Sequence, residues 1–147
     1  MDVIRRNTDY AIRMMVNLAK RFGKEAVSSR VLAGEDDVSY QLACKLLQKL
    51  NRAKLVKSQM GPKGGFCLAK KPTEISLGKI VESIQGPLSV NCCVLDPKSC
   101  ERQPDCPVNR KLVELQDKID GFFCNITLNK LIQNGSVKNR KHKKGRS

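Results

Sequence analysis

Apolar residues recur every three to four positions near the start of the chain. Ala11, Met14, Met15, Leu18, Ala19 and Phe22 share one face of a helix that Gly23 stops. Asn7 or Thr8 can cap it, which places Asp9 in the first turn, near the positive end of the macrodipole. A short second helix runs from near Ser28 to Gly34. The polar turn Glu35-Asp36-Asp37 follows, and Ser39 caps a third helix through about Arg52. That helix turns Ala43, Leu46, Leu47 and Leu50 inward. Its outer face is Gln41, Lys45, Gln48, Lys49 and Arg52, with Tyr40 at the N-terminal end. The rhythm then changes: Leu55 to Met60 reads as a strand, Gly61-Pro62-Lys63-Gly64-Gly65 as a turn, and Phe66 to Ala69 as a returning strand. Two short helices joined by a tight turn and followed by a hairpin describe a winged helix-turn-helix, mainly α with a small β-hairpin.

Ser76 caps a fourth helix with Leu77, Ile80, Val81 and Ile84 on its buried side, closed by Gly86-Pro87. A loop spans residues 88–106, and Pro107 suits the first position of a long helix. Along that helix Val108, Leu112, Leu115, Ile119, Phe122 and Ile126 alternate spacings of four and three, the heptad rhythm of a seam between two helices. Packing on its own domain competes with pairing to a second chain; pairing is the better reading, because DNA-binding dimers match palindromic sites. A short closing helix covers Thr127 to Ile132. The expected organisation is a winged helix-turn-helix domain over 1–87, a cysteine-rich loop over 88–106, a dimerisation helix and closing short helix over 107–133, and a disordered basic tail over 134–147.

Charge sharpens this picture. The 147 residues carry a formal net charge of +14. Lys138, Arg140, Lys141, Lys143, Lys144 and Arg146 lie in the tail, which leaves +8 on residues 1–137. An excess on the folded part favours a polyanion over a surface kept basic for solubility. No stretch approaches the ~18–20 apolar residues of a membrane span, and the N-terminus is not a signal peptide, so the expected location is cytoplasmic. An enzyme is disfavoured: there is no ordered histidine, no paired acids in a pocket-like context and no phosphate loop.

The DNA-facing candidates divide by role. Ser39, Tyr40, Gln41, Lys45 and Gln48 stand at the start and outer face of the recognition helix, where base edges and flanking phosphates are reached. Lys49, Arg52 and Lys57 suit phosphate, and Lys63 sits at the wing tip near a minor groove. No acidic residue interrupts Ser39 to Ser58. The tail adds nonspecific, salt-sensitive attraction.

Cysteine usage adds a second chemistry. Seven cysteines in a reducing compartment are thiols or ligands rather than disulfides. Cys92, Cys93, Cys100 and Cys106 crowd one loop as Cys-Cys-x6-Cys-x5-Cys, too dense for chance burial. Cys44, Cys67 and Cys124 are scattered singly. Gathered thiolates suit iron–sulfur or zinc, and structural zinc sites usually show tighter Cys-x2–4-Cys knuckles.

At this point the residues resemble a known family, the bacterial winged-helix regulators that include the iron–sulfur cluster regulator IscR, the nitric-oxide-sensitive repressor NsrR, the iron-responsive RirA and the cysteine-metabolism repressor. The likeness spans about residues 1–133. It rests on Thr8-Asp9-Tyr10-Ala11, Ser39-Tyr40, Gly61-Pro62-Lys63-Gly64-Gly65-Phe66, Ile75-x-Leu77-x-x-Ile80-Val81-x-x-Ile84 with Gly86, the three-cysteine loop and Ile126-Thr127-Leu128.

The resemblance implies a homodimeric transcription factor that binds a palindromic operator in double-stranded DNA and carries a 2Fe–2S or 4Fe–4S cluster. Its ligands would be Cys93, Cys100 and Cys106, with Cys92 the alternative first ligand. In the nitric-oxide-sensing branch an acid of the first helix, sometimes from the other subunit, is the fourth ligand, and Asp9 matches it; the competing role of Asp9 is to cap its helix. Three departures stand out. Six residues separate Cys93 from Cys100 where many relatives have five, Asn109 holds the place of a ligating histidine, and Met60 replaces an arginine before the wing. A zinc-binding or metal-free regulator and a small iron–sulfur electron carrier are the alternatives. A cluster on this loop would set the relative position of the fourth helix and the dimer helix, and so the spacing of the two recognition helices.

Overall fold

The computed structural model describes residues 2–102 and 105–134. The elements run α1 Arg6–Lys20, α2 Ser29–Glu35, α3 Tyr40–Arg52, β1 Val56–Gln59, β2 Gly65–Leu68, a 3-10 turn Pro72–Glu74, α4 Leu77–Gln85, α5 Cys92–Leu95, a 3-10 turn Pro97–Ser99, α6 Pro107–Asn125 and α7 Leu128–Asn134. The expected winged helix-turn-helix is present. Of the expected basic tail over 134–147, Asn134 closes α7 and the rest lies outside the described residues.

Ser28 and Ser39 start α2 and α3 by accepting from the Val31 and Leu42 backbone N–H at 3.2 and 3.3 Å, and each such cap stabilises its helix by about 1 kcal/mol. Between them Asp37 takes a left-handed φ of 53°, which turns the chain within two residues. Ala43, Leu46, Leu47 and Leu50 of α3 meet Met14, Met15 and Leu18 of α1 and Leu32 of α2 in one aliphatic core. Leu47 and Leu50 are 0% exposed, so truncating either to alanine costs about 2–5 kcal/mol. The wing pairs Val56 with Leu68 through Gln59 with Gly65, antiparallel. Phe66 extends it by exchanging two backbone bonds with Val27, at 2.7 and 2.9 Å. A β-carbon on Gly65 would strike the Val27 carbonyl, and its φ of +153° suits only glycine.

Two expectations at α1 need correction. The helix starts at Arg6 with Arg5 as its cap, and neither Asn7 nor Thr8 caps it. Gln85 of α4 takes that role from outside, accepting from the Arg5 backbone N–H at 3.0 Å, while Thr8 is fully buried. Phe22 does not join the core: α1 ends at Lys20 and Phe22 is left 47% exposed.

The C-terminal part is tied to the winged helix directly. α6 packs on α4, and α7 returns to α1. Ile126 lies beyond the end of α6, and its carbonyl accepts from Leu77 N at 2.7 Å. Leu128 N donates to the Ile75 carbonyl at 3.0 Å, and Leu128 is wholly buried. The α4–α6 relation is therefore set by backbone bonds and apolar packing.

Candidate DNA interface and cysteine loop

Helical geometry puts residues 41, 45, 48 and 52 on one side of α3, opposite the leucines. The structure leaves Ser39, Tyr40, Gln41, Lys45, Gln48, Lys49, Arg52, Lys57 and Lys63 all exposed, so every candidate DNA contact reaches solvent. Lys49 behaves differently from its neighbours. Its Nζ donates to the Ile84 carbonyl at the end of α4, 3.4 Å away. Ser39 is engaged as the α3 cap. Met60, 96% exposed, enters the wing turn without packing on the domain.

Arg30 of α2 was not singled out from the sequence. Its guanidinium lies 4.5 Å from the centre of the Tyr40 ring, so a cation and an aromatic face stand together at the N-terminal end of α3. Charge alone did not mark it, because its value depends on α2 and α3 meeting at the turn. On the other side of α2, Glu35 pairs with Arg21 at 2.6 Å and accepts from Asn17 at 2.8 Å. Asn17 and Arg21 hold the Glu35 carboxyl below its ordinary range, while partial burial raises that of Asp36.

The cysteine loop is more ordered than expected. Asn91 caps a single turn, α5, with its side chain accepting from Cys92 N at 2.8 Å. Asp96 caps the next turn through Lys98 N at 2.9 Å. Adjacent positions on such a turn point apart, and Cys92 and Cys93 differ in exposure. Cys92 is exposed and its Sγ lies 3.4 Å from Asn91 Oδ1. Cys93, Cys100 and Cys106 are all half-buried. Asn109, one turn into α6, directs Nδ2 to the Cys93 Sγ and carbonyl, both at 3.4 Å.

The root of the loop is held by a residue the sequence pattern did not flag. Gln116 of α6 is buried, 7% exposed. Its Oε1 accepts from Val90 N at 3.0 Å, and its Nε2 donates to the Leu88 carbonyl at 2.9 Å and to Asp120 at 2.8 Å. The carboxamide acts as a neighbouring strand would, satisfying one N–H and one C=O of an otherwise unpaired segment.

Among the described residues no three Cys, His, Asp or Glu side chains converge to hold a metal ion. The donor types nonetheless fit iron–sulfur ligation: three half-buried thiols share one loop, with carboxylates elsewhere on the chain. Asp9 is ion-paired to Arg13 at 2.8 Å in α1, with its side chain 47% exposed.

The predicted stripe of α6 divides in two: Leu112 and Ile119 are half-buried, while Val113 and Phe123, outside that stripe, line the groove beside α4 with Gln116. Val108, Leu115 and Phe122, seven residues apart, are 62%, 46% and 63% exposed. No described helix is long and apolar enough to cross a membrane.

A winged helix with an uncovered polar and basic recognition face is a DNA-binding regulator. The chain belongs to the Rrf2 family of iron-dependent transcriptional regulators, which it matches over residues 4–134. It is similar to the HTH-type transcriptional regulator IscR of Pectobacterium atrosepticum, 28% identical over 130 residues that cover 88% of this chain and 79% of that one. Its fold is similar to that of CymR, the global cysteine regulator of B. subtilis, with a TM-score of 0.77 and 28% identity over 90% of this chain and 98% of that one. It is also similar to T. potens IscR, with a TM-score of 0.71 and 26% identity over 90% of this chain and 87% of that one. These relatives are named as regulators, a non-enzymatic class, and DNA-binding transcriptional regulation is the function of this chain.

Proposed function

We propose that the protein is a homodimeric, cytoplasmic regulator that binds a palindromic operator and senses redox state, nitric oxide or iron–sulfur status through a cluster held by Cys93, Cys100 and Cys106. Asp9 is the fourth ligand, from the same chain or its partner. The observation that carries this reading is the sorting of the loop cysteines, three half-buried and Cys92 exposed. Residues 1–87 read DNA, 88–106 sense, and α6 pairs the chains through Val108, Leu115 and Phe122. These three side chains share one helix face, and a second α6 fits them by the heptad rule.

When bound, an iron–sulfur cluster supplies iron and sulfide that react with nitric oxide or oxygen and change oxidation state. The chain's residues do the rest. Three thiolates bind strongly, whereas a carboxylate is a harder and weaker ligand for iron, so Asp9 is the position most readily given up. Arg13 is poised to take it back. On DNA, Lys45 and Gln48 face base edges, Arg52 and Lys57 face phosphate, and Lys63 at the wing tip enters the minor groove.

A metal-free regulator is the second reading, favoured by the absence of converging ligands among the described residues. One experiment separates the two. Protein purified without oxygen is examined by absorption and by iron and sulfide analysis per chain, and its operator affinity is measured before and after cluster removal. Stoichiometric iron and sulfide with a change in affinity support the sensor. Metal-free protein that binds the operator at full affinity refutes it.

A further inference from the structure

Several arginines of this chain spend their donors on its own side chains. Arg21 is paired to Glu35 at 2.6 Å and Arg13 to Asp9 at 2.8 Å. Arg6 lies 5.8 Å from the centre of the Tyr10 ring and gives its Nε–H to the Tyr10 hydroxyl at 2.9 Å. Arg30 differs. Its guanidinium stands over the Tyr40 ring, 4.5 Å from the centre. Among the described residues it meets no carboxylate and makes no side-chain hydrogen bond. Both side chains are exposed, Tyr40 at 44%. A cation on a ring face is held by the π cloud, which uses none of its N–H donors. The ring therefore restrains the long side chain and leaves its fork open, and such a fork matches two oxygens of one phosphate. Restraint also lowers the rotamer entropy that remains to be lost on binding.

Position agrees with chemistry. Tyr40 is the first residue of α3, after the Ser39 cap, and Arg30 is the second residue of α2. In a helix-turn-helix the start of the recognition helix enters the major groove, while the helix before it crosses the backbone. Arg30 stands where those two helices meet, at the start of the exposed face that carries Gln41, Lys45 and Gln48. We propose that Arg30 is a phosphate-binding residue of the DNA interface and that Tyr40 is its positioning residue, holding the guanidinium instead of reading a base. The competing role is a surface clasp between α2 and α3. Those helices already pack together, with Leu32, Ala33, Ala43 and Leu46 buried in the common core, so a clasp between two exposed side chains adds little.

The test uses the full-length protein and labelled duplexes of alternating A·T and of alternating G·C sequence. Affinity is read by fluorescence anisotropy over a salt series. Arg30→Ala should weaken binding about tenfold per bound chain, equally on both duplexes. Its salt slope should fall by about one per bound chain, which a clasp would not change. Arg30→Lys should keep the slope and still lose affinity, because an ammonium lacks the fork. Tyr40→Phe keeps the ring face and should bind as the parent does. Tyr40→Leu should weaken binding with the slope kept, and in that background Arg30→Ala should cost only about threefold. Urea midpoints should match the parent's, since both positions are exposed. Should Arg30→Ala fold poorly, Arg30→Gln decides the slope. An unchanged slope overturns the phosphate contact, and so does a loss confined to one duplex. Tyr40 is overturned as the positioning residue if Arg30→Ala costs the same with and without its ring, or if Tyr40→Phe loses as much as Tyr40→Leu.

Discussion

Replacing Gln116 by leucine keeps the size of the side chain on α6 and deletes three hydrogen bonds. The bond to Asp120 counts for little, because that carboxylate is exposed and regains water. The other two satisfy Val90 N–H and the Leu88 carbonyl, both on half-buried residues. Losing two neutral bonds costs about 1–3 kcal/mol, and partial exposure of both groups to water keeps the total near the lower half of that range. Leucine recovers part of the loss through burial, so a net destabilisation of about 0.5–1.5 kcal/mol is expected. Gln116→Glu is worse at neutral pH: it keeps the acceptor for Val90 N, loses the donor to Leu88, and sets a second carboxylate beside Asp120. Urea unfolding gives the total. Amide exchange at Val90 gives the local opening, where protection should fall about tenfold for each 1.4 kcal/mol lost. Unchanged Val90 protection, with stability within about 0.5 kcal/mol of the parent, would show that Gln116 does not hold the loop.

Four further outcomes follow from named residues. Glutamate at Leu115 or Phe122 should give a folded monomer with weak operator binding, since neither side chain is buried in its own chain; sedimentation that still shows a dimer places the seam elsewhere. Alanine at Lys45 or Gln48 should cost about 1–3 kcal/mol at particular base pairs, and a uniform loss across sequences would make them phosphate contacts instead. Cys92→Ser should leave cluster absorption intact and Cys93→Ser should remove it, whereas the opposite pattern assigns the first ligand to Cys92. Burial raises the Asp36 pKa in the folded chain, so the stability this group contributes in acid is lost as pH rises through its elevated pKa. Asp36→Asn should therefore raise Tm at pH 7, with the gain shrinking in acid; a gain independent of pH would show that ionisation is not its source.

The winged helix was legible because its helices are amphipathic and its wing is punctuated by glycine. Leu46, Leu47 and Leu50 could face only inward once the polar set between them faced out, and Ser28, Ser39 and Ser76 all cap the helices they precede. Errors fell where a distant residue supplied what local pattern assigns to a neighbour. Thr8 looked like a cap, yet Gln85, far along the chain, caps α1 and leaves Thr8 to be buried against it. Phe22 continued the apolar rhythm of α1, but the helix had already ended at Lys20. Periodicity records which face a residue would share if the helix continued, and it does not record where the helix stops.

The cysteine loop was legible in its chemistry and hidden in its mechanics. Spacing alone left Cys92 and Cys93 equal; one helical turn capped by Asn91 is what separates them by exposure. Glutamine carries no charge and no periodic signature, so Gln85 and Gln116 passed as ordinary polar positions. Each nonetheless uses both ends of its carboxamide on groups from another segment, one on the start of α1 and one on the root of the loop. Between them lies the short segment of residues 86–90. Had that segment been free, loss of a cluster would loosen α4 from α6 and scatter the recognition helices. With both ends fastened, the start of the loop is held to α6 and the end of α4 to the start of α1 by bonds within the chain. The first turn of α1 is bonded to the same helix end whose Ile84 carbonyl holds Lys49.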